Sequence, residues 1–444
     1  MTTDIFIFTA AYIIGVILTR AGFLLLSGAS LIIAAVFLYF REYHRSGMLL
    51  NLRGFLALGL IGGEGIACFK LSRLSTIWTW ETWLSFYLMY LVFYITSTLM
   101  ERYLHKGKDG GILPEQVNRS HEHMAQNALL HADSIRFYKH CILCLVVITW
   151  VCFFIEAYKL GFIPFFTKDM PHAYSYFHLK GIHYFTTLVI LIPSISILAI
   201  EEQQHADLIS SAGIFFSLLL TILLVSRFQF LFSVILMVFT LMLGGRRLKP
   251  WQVLILSVLM VLVYVMITIA RAHSVTYLNE IFEMKNPATP IFITQPYMYI
   301  ANNYDNFNVM TEHLSEHTHG MKMLYPLVTL SGIKYFIPMQ LAFPLYTTKA
   351  ELTTLTLIYD AYYDFGIWGV MLLGGVLGLC SGCITQEIHH DRNPFSRIIF
   401  AQLAFYLLFS FFTTWFSNAA TWFYLGCSVC LYLLFQIRIL IRRK

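Results

Sequence analysis

Apolar runs of bilayer-crossing length follow one another through most of this 444-residue chain. A spanning helix needs about 20 predominantly apolar residues. Twelve runs qualify, near residues 4–19, 22–40, 54–70, 80–100, 141–160, 183–200, 209–226, 228–243, 251–270, 366–386, 397–414 and 419–437. Only 12% of the residues are charged, about half the share found in soluble domains. The pattern predicts an all-α polytopic membrane protein of about 12 transmembrane helices. In the 209–243 region, Arg227 divides the apolar stretch, so two short spans compete with one broken or re-entrant element. The first run lacks a basic start and an A-x-A-like site, so it is expected to stay as a helix rather than leave as a signal peptide.

Lysine and arginine placement orients the spans. With the N-terminus inside, 18 of the 30 basic residues fall on cytoplasmic segments. Twelve fall outside, five of them in one long loop where the positive-inside rule carries little weight. Both termini are therefore expected in the cytoplasm. The formal charge of +6 follows this distribution and gives no reason to expect nucleic acid as a partner. The membrane domain of residues 1–270 holds nine spans, a cytoplasmic loop at 101–140 and an outer loop at 161–182. Residues 271–365 form a large extracytoplasmic loop, and 366–444 add the last three spans.

A loop of that size is usually functional or disordered. Its proline-broken, tyrosine-rich sequence is too aromatic for simple disorder, so a folded cap over a membrane-embedded site is expected. The loop contains His313, His317 and His319 with Glu312 and Glu316. Without a second cluster this reads as a solvated patch, and no metal or cofactor is expected. The cytoplasmic sequence His121-Glu122-His123 lacks the H-E-x-x-H zinc spacing and reads as part of a solvated amphipathic helix. Three C-x-x-C pairs (Cys141/Cys144, Cys380/Cys383, Cys427/Cys430) sit in apolar runs at helical i, i+3 spacing, where packing is the expected role.

Several residues fit chemistry. Arg227, in LLVSRFQFLF, has apolar neighbours on both sides, and a charge at membrane depth usually faces a cavity or a partner. Arg271 directly follows the ninth span. Two guanidinium groups at one surface suit a diphosphate, whose oxygens they bind bidentately. His183 and Lys180 lie in the KGIHYF turn at the mouth of the sixth span, and His273 lies just after Arg271. In LIYDAYYDFG, Asp360 and Asp364 share one helix face at i, i+4, as do Tyr359 and Tyr363. Such carboxylates can act as a base, bind sugar hydroxyls or hold arginines. A capped interfacial helix anchored by its tyrosines is the competing reading.

The order GFIPFF…KGIHYF, then SRFQFLF, then a long outer loop, then LTLIYDAYYDFGIWGVMLLGGVLG resembles the Wzy-type O-antigen or oligosaccharide repeat-unit polymerases of bacteria. The sharpest match runs from Tyr359 to Gly369. The resemblance implies a GT-C-like fold in the cytoplasmic (inner) membrane and an inverting glycosyltransferase. Such an enzyme extends undecaprenyl-diphosphate-linked oligosaccharide repeat units into a long O-antigen, capsule or exopolysaccharide chain. Its setting implies membrane lipids and a chain-length-regulating co-polymerase as partners. Arg227 and Arg271 would then hold the diphosphate, with His183 or Asp364 as base. Lys180, Tyr359, Asp360, Tyr363 and His273 would bind substrate. An O-antigen ligase is the nearest alternative. A lipid-linked oligosaccharide flippase is another, though it needs charged central cavities, and charge within these spans is sparse. A membrane acyltransferase would rely on His183 alone.

Overall fold

The structure is a computed structural model. It describes the chain apart from residue 1, segments 107–120, 168–172, 246–250, 252–274, 338–341 and 391–392, and residue 444. The described residues are helical, joined by turns, with one isolated bridge between Ser72 and Met284. Among the described residues, seven helices are long and apolar enough to cross a membrane: Thr2–Arg20, Leu24–Ser46, Trp80–His105, His131–Leu160, Ile182–Gln203, Tyr359–His390 and Ala419–Ile441. The chain is a membrane protein whose described residues form an all-helical fold. The other five expected spans divide differently. Leu208–Leu223, Arg227–Leu243 and Phe395–Leu408 are shorter apolar helices. The expected span at 251–270 lies outside the described residues. The run beginning at 54 folds as Leu52–Leu56, a π-turn over Ala57–Gly62, and Gly63–Ala67. At 1.5 Å per residue, 52–67 reaches only about 24 Å, short of a hydrocarbon core of about 30 Å.

The chain divides into two compact units. The first comprises residues 1–109, 274–386 and 403–422. Within it, Gly28 and Gly65 let two helices meet backbone to backbone. A Cβ on Gly65 would lie 2.7 Å from the Gly28 carbonyl oxygen, an approach that only glycine allows. The described part of the long loop belongs to this unit, together with apolar helices. Its centre is the Ile291–His313 helix, which carries the buried sequence Asn302-Asn303-Tyr304-Asp305-Asn306-Phe307-Asn308.

Asparagine is a poor helix former because its side chain competes for backbone groups. Here that competition fastens neighbouring loops. Asn306 donates to the carbonyls of Leu352 and Thr354, and Asn303 to that of Phe411. Asn308 accepts from Thr79 N–H and Thr82 Oγ1. Asp305 pairs with Lys70 at 2.6 Å and accepts from Trp78 Nε1.

The second unit comprises residues 110–273, 387–402 and 423–444. The expected span at 141–160 is the second half of a helix from His121 to Leu160. It packs against the Ile182–Thr187 and Ile192–Gln203 helices and against Leu208–Leu223. Around the Ile192–Gln203 C-terminus run the ion pairs Lys139–Asp207 at 2.9 Å and Arg397–Glu201 at 3.0 Å, with a hydrogen bond between His131 Nδ1 and Glu202 at 2.6 Å. Asp207 also caps Leu208–Leu223 by accepting from Ser210 N–H. Residues 209–243 are two helices, separated at 224–226 and packed on one another.

Candidate active site

The second unit holds a buried polar chain built from four segments. Glu156 lies one turn before the end of the 121–160 helix, with its side chain fully buried. A carboxylate there needs donors, because burying an unpaired charge costs far more than burying a satisfied one. It has three. Leu179 N–H donates to Oε1 at 3.0 Å, and Thr186 Oγ1 donates to Oε2 at 2.7 Å. The third is His183, whose Nδ1 lies 3.1 and 3.2 Å from the two oxygens. His183 and Thr186 stand at i, i+3 on the Ile182–Thr187 helix, so one face presents both to Glu156. Gly181, at φ +84°, starts that helix in the left-handed region that glycine favours.

With Nδ1 directed at Glu156, His183 turns Nε2 toward Tyr174, whose hydroxyl lies 3.3 Å away. Gln229 Nε2 donates to the same hydroxyl at 2.8 Å. The tyrosine oxygen therefore accepts from Gln229, leaving its proton for Nε2. The directions run from Gln229 through Tyr174 and His183 to Glu156, and they suit a neutral imidazole with Nε2 as acceptor. Gln229 Oε1 is buried with no hydrogen-bond partner among the described residues. The His178 ring stacks obliquely on His183, with centroids 4.8 Å apart. Partial desolvation holds the His178 imidazole below its usual pKa and favours its neutral form.

Arg227 is the first residue of the Arg227–Leu243 helix, two residues from Gln229 and half-buried. Ser226 caps this helix by accepting from Gln229 N–H at 3.4 Å. Val225, just before it, has φ +56°. A β-branched residue in that region is a genuine outlier. Such strain costs about 1–3 kcal/mol and clusters at functional sites. Lys180 is exposed, beside the Leu179 N–H that binds Glu156.

The aspartate and tyrosine candidates lie in the first unit, gathered around Lys322. Its ammonium is 2.9 Å from Asp360 and 4.4 Å from the centre of the Tyr363 ring. Tyr359 donates to the Tyr346 carbonyl and accepts from Tyr346 N–H. Asp364 is fully buried. It accepts from Thr318 Oγ1, from Lys322 N–H at 3.1 Å and from Met323 N–H at 2.7 Å. The i, i+4 pairing expected for these residues is present, and both carboxylates are taken up by protein donors. Directly after them the helix breaks at Phe365 and Gly366. Gly366, at φ +60° and ψ −143°, turns the chain into its apolar continuation.

Arg271 and His273 lie outside the described residues. His313 bonds to its own helix backbone and His317 approaches the Tyr363 carbonyl. Among the described residues no cluster of three or more ligands could hold a metal ion. The cysteines of the three C-x-x-C pairs are free thiols, most of them on exposed helix faces rather than in packed interiors.

Glu156, Tyr174 and Gln229 were not singled out as site residues from sequence. Glu156 is one of few charges within the expected spans, and that is the signal that could have located it. No protein-family model, curated protein or solved structure matches the chain.

Proposed function

We propose that this protein polymerises undecaprenyl-diphosphate-linked oligosaccharide repeat units by inverting glycosyl transfer at the outer face of a bacterial cytoplasmic membrane. The observation that carries this reading is the Glu156–His183–Tyr174–Gln229 chain, two residues from Arg227 at the start of its helix. In this reading His183 serves as the base and Arg227 as the cation, the two functions that transfer from a diphosphate needs. The proposal includes cytoplasmic termini and a GT-C-like arrangement.

In the proposed step, the acceptor hydroxyl oxygen attacks the anomeric carbon and the bond from that carbon to the diphosphate oxygen breaks. The acceptor proton passes to His183 Nε2, and Glu156 stabilises the resulting imidazolium. The leaving diphosphate carries off the electron pair. Arg227, with Arg271, stabilises its growing charge as preorganised electrostatics. The buried Gln229 Oε1 offers an acceptor for a sugar hydroxyl. Of the two candidate bases we assign His183, because the Asp364 oxygens are already engaged by three donors.

The test is complementation of a strain lacking this gene, with gel analysis of its surface glycan. The intact gene restores a long ladder. Arg227→Ala and His183→Ala collapse it to a single repeat unit while the protein remains folded in the membrane. A ladder that survives both substitutions overturns the proposal. Repeat units stranded on the cytoplasmic side in the deletion strain would point to a flippase instead.

A further inference from the structure

The segment from Leu324 to Ile337 wears its apolar side chains on the outside. It comprises a short helix, Tyr325–Leu330, a left-handed turn at Gly332 and a 3₁₀ turn, Ile333–Tyr335. Every third residue is apolar and exposed: Leu324, Leu327, Leu330, Ile333 and Phe336, with Phe336 86% exposed and Leu327 55%. Pro326 is buried instead. In water this inverts the usual amphipathic order, in which the apolar side of a short helix faces the core. Contiguous exposed apolar surface of this kind marks an interaction or membrane site.

The way the segment is fastened identifies what covers it. Its base is tied to the break in the 359–390 helix. Lys322 N–H and Met323 N–H bind the Asp364 carboxylate, and His319 N–H binds the Asp364 carbonyl at 3.1 Å. Its helix packs against the Trp415–Ser417 turn. Both anchor points immediately precede apolar helices. Gly366 opens the long apolar part of 359–390, and Ala419 opens the last candidate span.

Just past these anchors stand Trp368, 76% exposed, and Trp422, half-exposed. Exposed tryptophans at the ends of spanning helices mark the membrane–water boundary. Beyond Trp368 the same helix continues with exposed Leu372, Val376 and Leu379, a surface suited to lipid. The apolar face of 324–337 is thus continuous with a lipid-facing helix and begins at its boundary. Tyr335 and Lys334, with the ammonium 5.4 Å from the Tyr335 ring, have the aromatic and basic character of interfacial anchors.

We propose that residues 324–337 form a membrane-seated element. Its exposed side chains lie among the acyl chains and headgroups of the leaflet where the 366–390 part of the helix begins. The Asp364 carboxylate sets its depth by fixing residues 322–323 at the helix break. The segment is then a fixed in-plane float on the bilayer rather than a water-exposed loop, and its partner is the phospholipid itself.

The test places the photoreactive residue p-benzoylphenylalanine at position 327, 336 or 316 of the full chain. Each variant is reconstituted in vesicles of phosphatidylethanolamine and phosphatidylglycerol. Glu316 is exposed in the same unit and serves as the water-facing control. Illumination is expected to add phospholipid mass at 327 and 336 about tenfold more often than at 316. Equal lipid labelling at all three positions overturns the proposal. So does labelling at 327 and 336 that joins two copies of the chain, because the face would then be covered by protein. All three positions are surface-exposed, so each variant keeps the fold, which a matched thermal transition verifies.

Discussion

Replacing Glu156 with glutamine tests the proposed base without changing the size of the buried side chain. The carboxylate meets only donors: Leu179 N–H, Thr186 Oγ1 and His183 Nδ1. An amide can accept on its oxygen alone, so its NH₂ must face either Leu179 N–H, in the place of Oε1, or Thr186 Oγ1, in the place of Oε2, and it meets His183 Nδ1 in both. In either orientation the charge-assisted bond to the imidazole is lost, and such bonds contribute about 1.5–3 kcal/mol. If that energy is realised when His183 takes up a proton, its loss slows chain extension about ten- to a hundredfold, at 1.36 kcal/mol per decade.

The assay is the initial rate of polymer extension from a purified lipid-linked repeat unit in proteoliposomes, with thermal unfolding followed in parallel. Thr186→Val is the control, since it removes one donor to Glu156 and leaves the imidazole contact in place. It is expected to cost stability and little rate. A folded Glu156→Gln protein extending chains at the wild-type rate refutes the role assigned to this pair.

Other substitutions separate the remaining parts. Asp364→Asn keeps the shape but turns an amide toward the Thr318, Lys322 or Met323 donors. It should lower stability by about 1–3 kcal/mol, read as a fall in the thermal transition. A transition equal to wild type would show that the carboxylate is not the anchor described. Tyr174→Phe should keep the extension rate within about threefold, because its hydroxyl occupies the place beside Nε2 that the acceptor hydroxyl would take. A hundredfold loss would put Tyr174 in the proton path.

Asp207 gives a pH signature. Burial opposes its charge, but the bonds from Ser210 and Lys139 outweigh that and hold its pKa below the usual carboxylate value. A depressed folded pKa contributes stability at pH values above the unfolded value, near 4, and loses it as the pH falls below. The thermal transition should therefore fall on acidification from pH 6 toward pH 3, and Asp207→Asn should lessen that slope. An identical slope in the variant would remove Asp207 as its source.

Much of the fold was legible because apolar runs of fixed length have few solutions in a membrane. The starts of the runs matched the starts of helices such as Leu24–Ser46 and Ala419–Arg443 to within two residues, while both helices continue six residues past the expected ends at 40 and 437. Two features escaped that logic. The 52–67 stretch is apolar enough to read as a span, yet its glycines permit a π-turn and close packing, and its length then falls short. The 291–313 helix contains a run of asparagines that propensity argues against. Its side chains bond to loops far away in the sequence, and tertiary contacts of that kind override local preference. In the site, His183 was visible as a histidine at the mouth of a span. Its partners were not, because Glu156 lies 27 residues before it and Gln229 is 55 residues from Tyr174. No periodicity encodes pairings at those separations.

The two residues that stood level as bases from sequence differ in what already surrounds their oxygen or nitrogen atoms. Asp364 is acidic, buried and close to a helix break, all features of a catalytic carboxylate, but its oxygens meet a hydroxyl and two backbone N–H groups. Backbone donors cannot rotate away, so a substrate hydroxyl would have to compete with fixed bonds, and protonating Asp364 would leave those donors facing a neutral acid. His183 is held on one side only. Its Nδ1 is fixed by Glu156, while its Nε2 meets a tyrosine hydroxyl that side-chain rotation alone can withdraw. Gln229, which donates to the same tyrosine hydroxyl, has a buried Oε1 that lacks a donor among the described residues, an acceptor open to a ligand hydroxyl in this proposal. A sugar carries hydroxyls that can do both tasks, giving one proton to Nε2 and another to Gln229 Oε1. This asymmetry in hydrogen-bond commitment, rather than charge or burial, is the ground for placing the chemistry at His183 and the architecture at Asp364.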